Sequence, residues 1–418
     1  MTRIDLGHES LQSIDGFGFC EAFQRARLMR GLPEGPRREV LDLLMSRDKG
    51  VGFSMLRLGI GSSPDYSDDH MKSHQPENPG GPDAPPAYRW DGDDGGQLWL
   101  AHEARAYGIE RFYANAWSAP GYMKDNGSDA DGGSLLPEWR EAYARYLLAY
   151  ADHYRRAGIP VTDLAFTNEP DLTISYASMR FTPAEAADYV TVIGPHARSK
   201  GLRLVACDSY GWSGAQEYTR AIEAHAVARE LVDVHAGHPY ATPVRGPLPT
   251  SRPTWMSEWS PDGETWNESW DDGSGYDGFA VAEQIHDSFT LGEVNGYFYW
   301  FGASVGPTRA PIRIEGDTYR VSRRLWALAS YSRHVRPGAV RTAASSDHPA
   351  LKVTAFRNAD GSRTVVVLNS ATESVTATLP FEGQAYVTDE ERAMTPGQAV
   401  RDQAGFAPRS LTTLVSPP

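Results

Sequence analysis

Eight short β-forming runs recur along most of the chain, separated by longer stretches with helical patterning. They are Gly16–Cys20, Met55–Ile60, Arg111–Ala116, Asp163–Asn168, Arg203–Asp208, Val232–Ala236, Pro253–Glu258 and Asn295–Tyr299. Runs such as Leu164-Ala165-Phe166-Thr167 and Leu202-Arg203-Leu204-Val205-Ala206-Cys207 are near-continuously apolar, as expected of parallel strands buried on both faces. The stretches between them carry helix start and stop marks. One runs from about Pro36 to Arg47 with Gly50 beyond it, and another from about Leu136 to Arg156, stopping at Gly158. A third opens on Thr182-Pro183-Ala184-Glu185, a capping box with proline at the first helical position, and stops at Gly201. Later helices are expected over Gly214–Glu230, Ala280–Leu291 and Ser322–His334. Eight such alternations predict a closed (β/α)8 barrel. An open doubly wound sheet would want a glycine-rich phosphate loop after an early strand. Gly16-Phe17-Gly18-Phe19-Cys20 lacks both the third glycine and a following helix start.

After about Val340 the pattern switches to apolar–polar alternation over Leu351–Arg357, Thr364–Asn369 and Ser374–Leu379, with Asn358-Ala359-Asp360-Gly361 as a hairpin turn. A small antiparallel β-domain is expected there. The N-terminal stretch Thr2–Ile14 also reads as strand and is expected to join it. The domain reading is therefore a barrel over residues 15–338 and a small β-domain over residues 1–14 plus 339–418. Two long polar loops, Ser62–Gly96 and Trp259–Gly278, are of a length that usually serves function.

Composition narrows the partners. Forty Lys and Arg against 54 Asp and Glu leave a net charge of −14, which disfavours nucleic acid and anionic membrane. No run approaches the roughly 18 apolar residues of a membrane span. Cys20 and Cys207, the only two cysteines, exclude a disulfide scaffold and a four-cysteine zinc site, and core packing is expected of both. The 11 Trp and 20 Tyr point instead to flat apolar rings with polar rims, the surfaces on which sugars stack.

In a barrel the chemistry sits at the C-terminal strand ends. Strand four ends in Asn168-Glu169-Pro170 and strand seven in Ser257-Glu258-Trp259; apart from Glu21 past strand one, no other strand end carries a glutamate. Strands four and seven face each other across the mouth. Two opposed carboxyls at one cleft are the minimal kit for glycoside hydrolysis, one protonated and one ionised. Metal catalysis has little support. His235 and His238 lack a third ligand, and the acidic Asp271-Asp272-Gly273 loop lacks the EF-hand pattern. No metal and no cofactor are expected.

These residues carry a resemblance. Asn168-Glu169-Pro170 with a strand-seven glutamate resembles the clan of retaining (β/α)8 glycosidases. Ile14-Asp15-Gly16-Phe17-Gly18, Leu56-Arg57-Leu58-Gly59-Ile60-Gly61, Trp117-Ser118-Ala119-Pro120-Gly121-Tyr122-Met123-Lys124 and Tyr299-Trp300 resemble glycoside hydrolase family 30 over essentially the whole chain. The resemblance implies a catalytic (β/α)8 barrel with a side β-sandwich built from both termini, Glu169 as acid/base and Glu258 as nucleophile, with retention of anomeric configuration. It further implies Asn168 at the sugar 2-OH, Tyr240 donating to the nucleophile, and Arg57 as the cation beneath it. His238, beside Tyr240, is placed among the substrate-binding residues, as is Trp259. Trp90, Trp117, Trp212, Trp259, Trp266, Trp270 and Trp300 lie on or near loops at this face. Trp117 and Trp300 are expected next to the scissile bond.

The run Ala22-Phe23-Gln24-Arg25-Ala26 resembles the xylan-active subfamily 7. That likeness implies β-1,4-xylosidic bonds in glucuronoxylan or xylo-oligosaccharides as substrate. Arg25, with Arg27 in reserve, would engage a glucuronic acid branch through its bidentate fork. The alternatives are the same machinery on β-1,6-galactan, a β-fucoside or a β-glucoside, or a non-catalytic carbohydrate-binding protein. A monomer is expected. Location is expected to be extracellular if a leader was trimmed and cytoplasmic if Met1 is the native start, for no basic apolar segment opens the chain.

Overall fold

The structure is a computed structural model describing residues 2–67, 70–261 and 265–418. Eight parallel strands close into a barrel: Gly16–Cys20, Met55–Ile60, Arg111–Ala116, Asp163–Ala165, Arg203–Ser209, Val234–Gly237, Thr254–Trp259 and Gly296–Tyr299. The first pairs with the last. The expected barrel is therefore present, with each strand near its expected position. Strand four departs most. Its pairing stops at Ala165, and the Phe166 carbonyl turns to accept from the Tyr143 hydroxyl at 2.8 Å.

Side chains fill the barrel axis, among them Met55, Tyr113, Val205, Trp255 and Phe298. Gly18 is where the Phe298 ring needs room, since a Cβ there would sit 2.4 Å from it. Below this layer the barrel floor is charged. Arg111 lies 2.8 Å from Asp15 and 3.2 Å from Asp163, and Arg203 lies 3.3 Å from Asp163. The Trp255 indole donates to Asp15 at 2.8 Å.

The capping box on Thr182 forms as expected and starts the helix Pro183–Ser199. Two helices were not anticipated, Arg25–Gly31 and Gln97–Ala106. Neither has a side-chain N-cap: Gln24 and Gly96 occupy those positions in left-handed conformations. A three-stranded sheet, Ala303–Val305, Ile312–Glu315 and Thr318–Val321, also intervenes before the last helix, Arg324–Ser332.

The remaining strands form the side β-sandwich, with a core of its own that includes Ile4, Leu6, Val353, Val367 and Leu414. Thr2–Ser13 pairs antiparallel with Val340–Ser346, and its first residues pair in parallel with Val375–Thr388. The chain thus enters and leaves the barrel at one point. The Ile14 N–H donates to the Ala339 carbonyl at 2.7 Å, and the Gly338 N–H to the Ile14 carbonyl at 2.8 Å.

The two long loops do different work from that expected of them. Trp259–Gly278, whose residues 262–264 lie outside the described residues, is fastened to the sandwich. The Trp270 indole donates to the Arg409 carbonyl at 2.6 Å, and Arg409 grips both oxygens of Asp271 at 2.6 and 2.8 Å. This loop is a seam between domains. Ser62–Gly96, whose residues 68 and 69 lie outside the described residues, buries Asp94 under the hydroxyls of Tyr150 and Tyr154, both at 2.6 Å. Among the described residues no helix is long and apolar enough to cross a membrane.

Candidate active site

The strand-four end is bent to present its carboxyl. Glu169 adopts a left-handed conformation, φ 47°, which a residue before proline ordinarily avoids. Its N–H donates to the Asp208 carbonyl at the end of strand five at 2.8 Å, and that contact holds the bend. Glu258 projects from strand seven. One oxygen from each carboxyl, together with a ring nitrogen of His238, fall within 4.8 Å of one another.

The two carboxyls have different partners. Glu258 accepts from the Arg57 guanidinium through Oε2, and from the Tyr240 hydroxyl through Oε1 at 3.1 Å. Arg57 also donates to Asn168 Oδ1 at 2.5 Å and lies 4.6 Å over the Trp117 ring. Glu169 has no arginine of its own. Oε1 faces His238 Nδ1 at 2.9 Å, and the Tyr176 hydroxyl approaches Oε2 at 3.5 Å. Burial, reinforced by the Glu258 charge and opposed by His238, raises the Glu169 pKa above the usual carboxylate range. One carboxyl is placed to hold a proton while the other is wrapped in donors that suit an anion.

A cleft of about 470 Å³ opens over this pair. Phe23, Trp117, Tyr176 and Trp300 crowd one side, with Phe23 edge-on to the other three rings at 5.5 to 6.2 Å. Tyr210, stacked on Tyr240 at 5.5 Å, lines another part. Arg25 and Arg309 also line it. Arg25 donates to Ser304 Oγ at 3.0 Å and the Phe23 carbonyl at 2.7 Å, and lies 4.9 Å over the Phe301 ring. Arg27, the reserve candidate, is bound to Asp93 at 2.8 Å. A larger cavity of about 780 Å³ lies at the barrel floor beside Asp15, Arg111 and Arg203, where the carboxylates already face arginines. The mouth is the place for chemistry.

Several expected contacts need correction. Trp259 follows Glu258 on the strand and packs against the hydrophobic shell of the barrel, and it is not among the cleft-lining residues. His238 is fully buried, 2.9 Å from Glu169, and is not among the cleft-lining residues. Trp212 and Trp270 are buried, with their indole N–H groups on the Gly246 and Arg409 carbonyls. Trp90 stacks on His153 at 4.9 Å, and Trp266 lies beneath Arg313. None of these four lines the cleft.

His235 turns to Glu223 at 3.0 Å, away from His238. Glu169, His238 and Glu258 could offer three ligand atoms, yet Arg57 already occupies Glu258. Burial would lower the His238 pKa, but Glu258, Asp208 and Glu169 together raise it to about 9, which keeps the ring nitrogens protonated and without a free lone pair. Asp271 is neutralised by Arg409.

Comparison with known proteins identifies the scaffold. Residues 1–215 match the family described as O-Glycosyl hydrolase family 30, and residues 338–401 match the glycosyl hydrolase family 30 beta sandwich domain. The chain belongs to glycoside hydrolase family 30. Within the family it is similar to the catalytic domain of xylanase C from Talaromyces cellulolyticus, 32% identical over 99% of both chains with a TM-score of 0.91. It is also similar to putative glucosylceramidase 2 of Caenorhabditis elegans, 24% identical over 86% of this chain and 75% of that protein. A third relative is endo-1,6-beta-D-glucanase neg1 of Aspergillus fumigatus, 24% identical over 98% and 86% respectively. Family 30 thus fixes a glycosidase acting on a carbohydrate substrate, while the relatives carry xylanase, glucanase and glucosylceramidase names.

Sequence reasoning missed Asp208, Phe23, Tyr176, Tyr210 and Arg309. Asp208 stands at the end of a predicted strand, but nothing in the sequence pairs it with His238 or with the Glu169 N–H. The others sit on connecting segments whose direction no periodicity reveals.

Proposed function

We propose that this chain is a retaining glycosidase that cleaves β-1,4-xylosidic bonds in glucuronoxylan or xylo-oligosaccharides by double displacement. The observation carrying the mechanism is the placement of Glu169 and Glu258 oxygens within 4.8 Å of each other at opposed strand ends. Retaining enzymes hold their carboxyls about 5–5.5 Å apart, whereas inverting ones leave roughly 6.5–9.5 Å for a water. The unequal partners of the two groups supply the division of labour.

In the first step a Glu258 oxygen attacks the anomeric carbon while Glu169 gives its proton to the departing glycosidic oxygen. A glycosyl ester on Glu258 forms and the C–O bond to the leaving sugar breaks. In the second step Glu169, now a carboxylate, takes a proton from water as the water oxygen attacks the same carbon and frees Glu258. Two inversions give net retention. Arg57 and Tyr240 orient Glu258 and receive it again as an anion. Asn168, its Oδ1 fixed by Arg57, leaves its amide for the sugar 2-OH. Trp117 and Trp300 pack against the sugar at the reaction centre, and Arg25 meets the branch carboxylate.

Xylan is favoured by the likeness to xylanase C over the whole chain. A second reading, the same steps on a β-linked glucan, is favoured by the likeness to the 1,6-glucanase. Incubation with glucuronoxylan, arabinoxylan, β-1,6-glucan and β-1,6-galactan, followed by product analysis, separates them. The expected result is xylo-oligosaccharides whose newly formed ends are β by proton NMR. Silence on both xylans overturns the substrate reading, and α ends overturn the mechanism.

A further inference from the structure

Double displacement asks one side chain to be an acid first and a base afterwards. Beneath Glu169 runs a buried polar chain that could govern that change. His238 Nδ1 lies 2.9 Å from Glu169 Oε1, and His238 Nε2 lies 3.6 Å from Asp208 Oδ1. Asp208 accepts the Tyr113 hydroxyl at 2.6 Å and the Ser257 hydroxyl on its other oxygen. His238, Asp208, Tyr113 and Ser257 are all fully buried. Nδ1 is within hydrogen-bond reach of Glu169, while Nε2 has no hydrogen-bond partner and meets Asp208 as a longer ion-pair contact, so the ring faces a carboxylate on both sides, an arrangement that suits the doubly protonated imidazolium. Asp208 is itself left-handed, φ 54°, and its carbonyl holds the Glu169 N–H, so one residue supports the acid/base from its side chain and its backbone.

We propose that Asp208 is a positioning residue that anchors His238 as a fixed imidazolium under Glu169, making the Glu169 carboxylate available as the base of the second step. The proposal rests on the acid/base reading of Glu169. His238 keeps both its protons throughout. Glu169 loses its proton to the glycosidic oxygen, receives a charge-assisted hydrogen bond from Nδ1–H, and regains a proton from water.

The surroundings agree. Glu258 and Arg57 face the same group from strands seven and two and pair with each other. Tyr240 lies edge-on to His238 at 6.0 Å, Tyr176 approaches Glu169 from above, and Cys207 and Asp171 flank Asp208. Burial and the Glu258 charge push the Glu169 carboxyl up, and His238, with Arg57 farther off, opposes them, so His238 is the nearest group that favours the carboxylate. Burial would raise Asp208, but His238 and Arg57 hold it below the usual carboxylate range.

The test is Asp208→Asn, which keeps the shape and an acceptor oxygen but removes the charge. With the anion gone, His238 binds its proton less tightly, Glu169 loses a neighbouring cation, and its pKa rises. The basic limb of kcat/KM on xylotetraose and the acidic limb of kcat on dinitrophenyl β-xylobioside should both move up by about one pH unit. At the acidic limb that is roughly a tenfold loss of kcat. A lower plateau with both limbs unmoved overturns the proposal, since that is what a merely structural role produces. Should the variant not fold, nitrogen NMR of the intact wild-type protein decides. One imidazole, absent in His238→Gln, should keep both ring protons beyond about pH 8, and a neutral His238 at neutral pH overturns the assignment. Glu169→Ala separates the two readings. If it retains turnover of the dinitrophenyl substrate but the limbs of Asp208→Asn do not move, Asp208 alone is misassigned. If it loses all activity on that substrate, the acid/base reading falls first.

Discussion

The barrel carries a cluster of arginines and carboxylates at each end, buried at the mouth and partly exposed at the floor, and the two are wired in opposite ways. At the floor, Asp163 is gripped by Arg111 and Arg203, and Asp15 by Arg111 and the Trp255 indole. At the mouth, Arg57 is committed to Glu258 and Asn168, and Glu169 is left facing a histidine. The floor matches each acid to a cation and ties neighbouring strands together. The mouth withholds an arginine from one carboxyl and thereby keeps a proton available. Charge matching makes a joint, and deliberate mismatching makes a reagent.

The comparison can be broken by mutation. Glu258→Ala should lower kcat of the folded protein by about 10⁴-fold or more, well beyond the stability lost by leaving Arg57 unpaired, and azide should restore turnover as a glycosyl azide of inverted configuration. Retention of near-normal rates on xylan would return the mouth to the status of a second joint. Glu169→Ala should cost about 10²–10⁴-fold on xylan but far less on an activated aryl glycoside, whose leaving group needs little protonation. Equal losses on both substrates would contradict the role.

Asp163→Asn sharpens the other side. It removes the anion shared by Arg111 and Arg203, but burial already disfavours that charge in the fold, so the loss of stability should stay well under the ~3 kcal/mol of a broken buried pair. The kcat of the folded fraction should not change, and a large loss of kcat would mean the floor is coupled to catalysis. The floor also has its own pH signature. Burial, opposed by Arg111, raises the Asp163 pKa from 3.8 to about 6. The folded chain therefore binds that proton more tightly than the unfolded chain does. Its contribution is full below the unfolded pKa and is lost as pH rises toward about 6. Thermal melts across this window should flatten in Asp163→Asn. The smallest effect is expected from Arg25→Ala, about a tenfold loss confined to glucuronic-acid-decorated xylan. An equal loss on undecorated chains would remove Arg25 from branch recognition.

The eight strands were legible because parallel strands buried on both faces leave continuous apolar runs, and the two glutamates because they stand at strand ends. What escaped was local direction. Nothing in the run around Trp270 says that its loop folds back onto the sandwich, and nothing in Gly96 announces the helix that starts after it. Glu169 shows the same limit from the opposite side. Its identity was plain, while its left-handed backbone depends on the Asp208 carbonyl of the next strand, a partner almost 40 residues away. Asp208 is visible at a strand end, but its partners, the Glu169 N–H and the hydroxyls of Tyr113 and Ser257, are brought to it only by the closed barrel.

The pairing of Thr2–Ser13 with Val340–Ser346 carries a consequence for biosynthesis. Within this unit the earliest strand to be translated must wait for nearly the whole barrel before its neighbour exists, on the order of tens of seconds at ordinary elongation rates. For that interval it is an unpaired edge on a growing chain, and its polar, half-exposed sequence is what keeps such an edge from recruiting strangers.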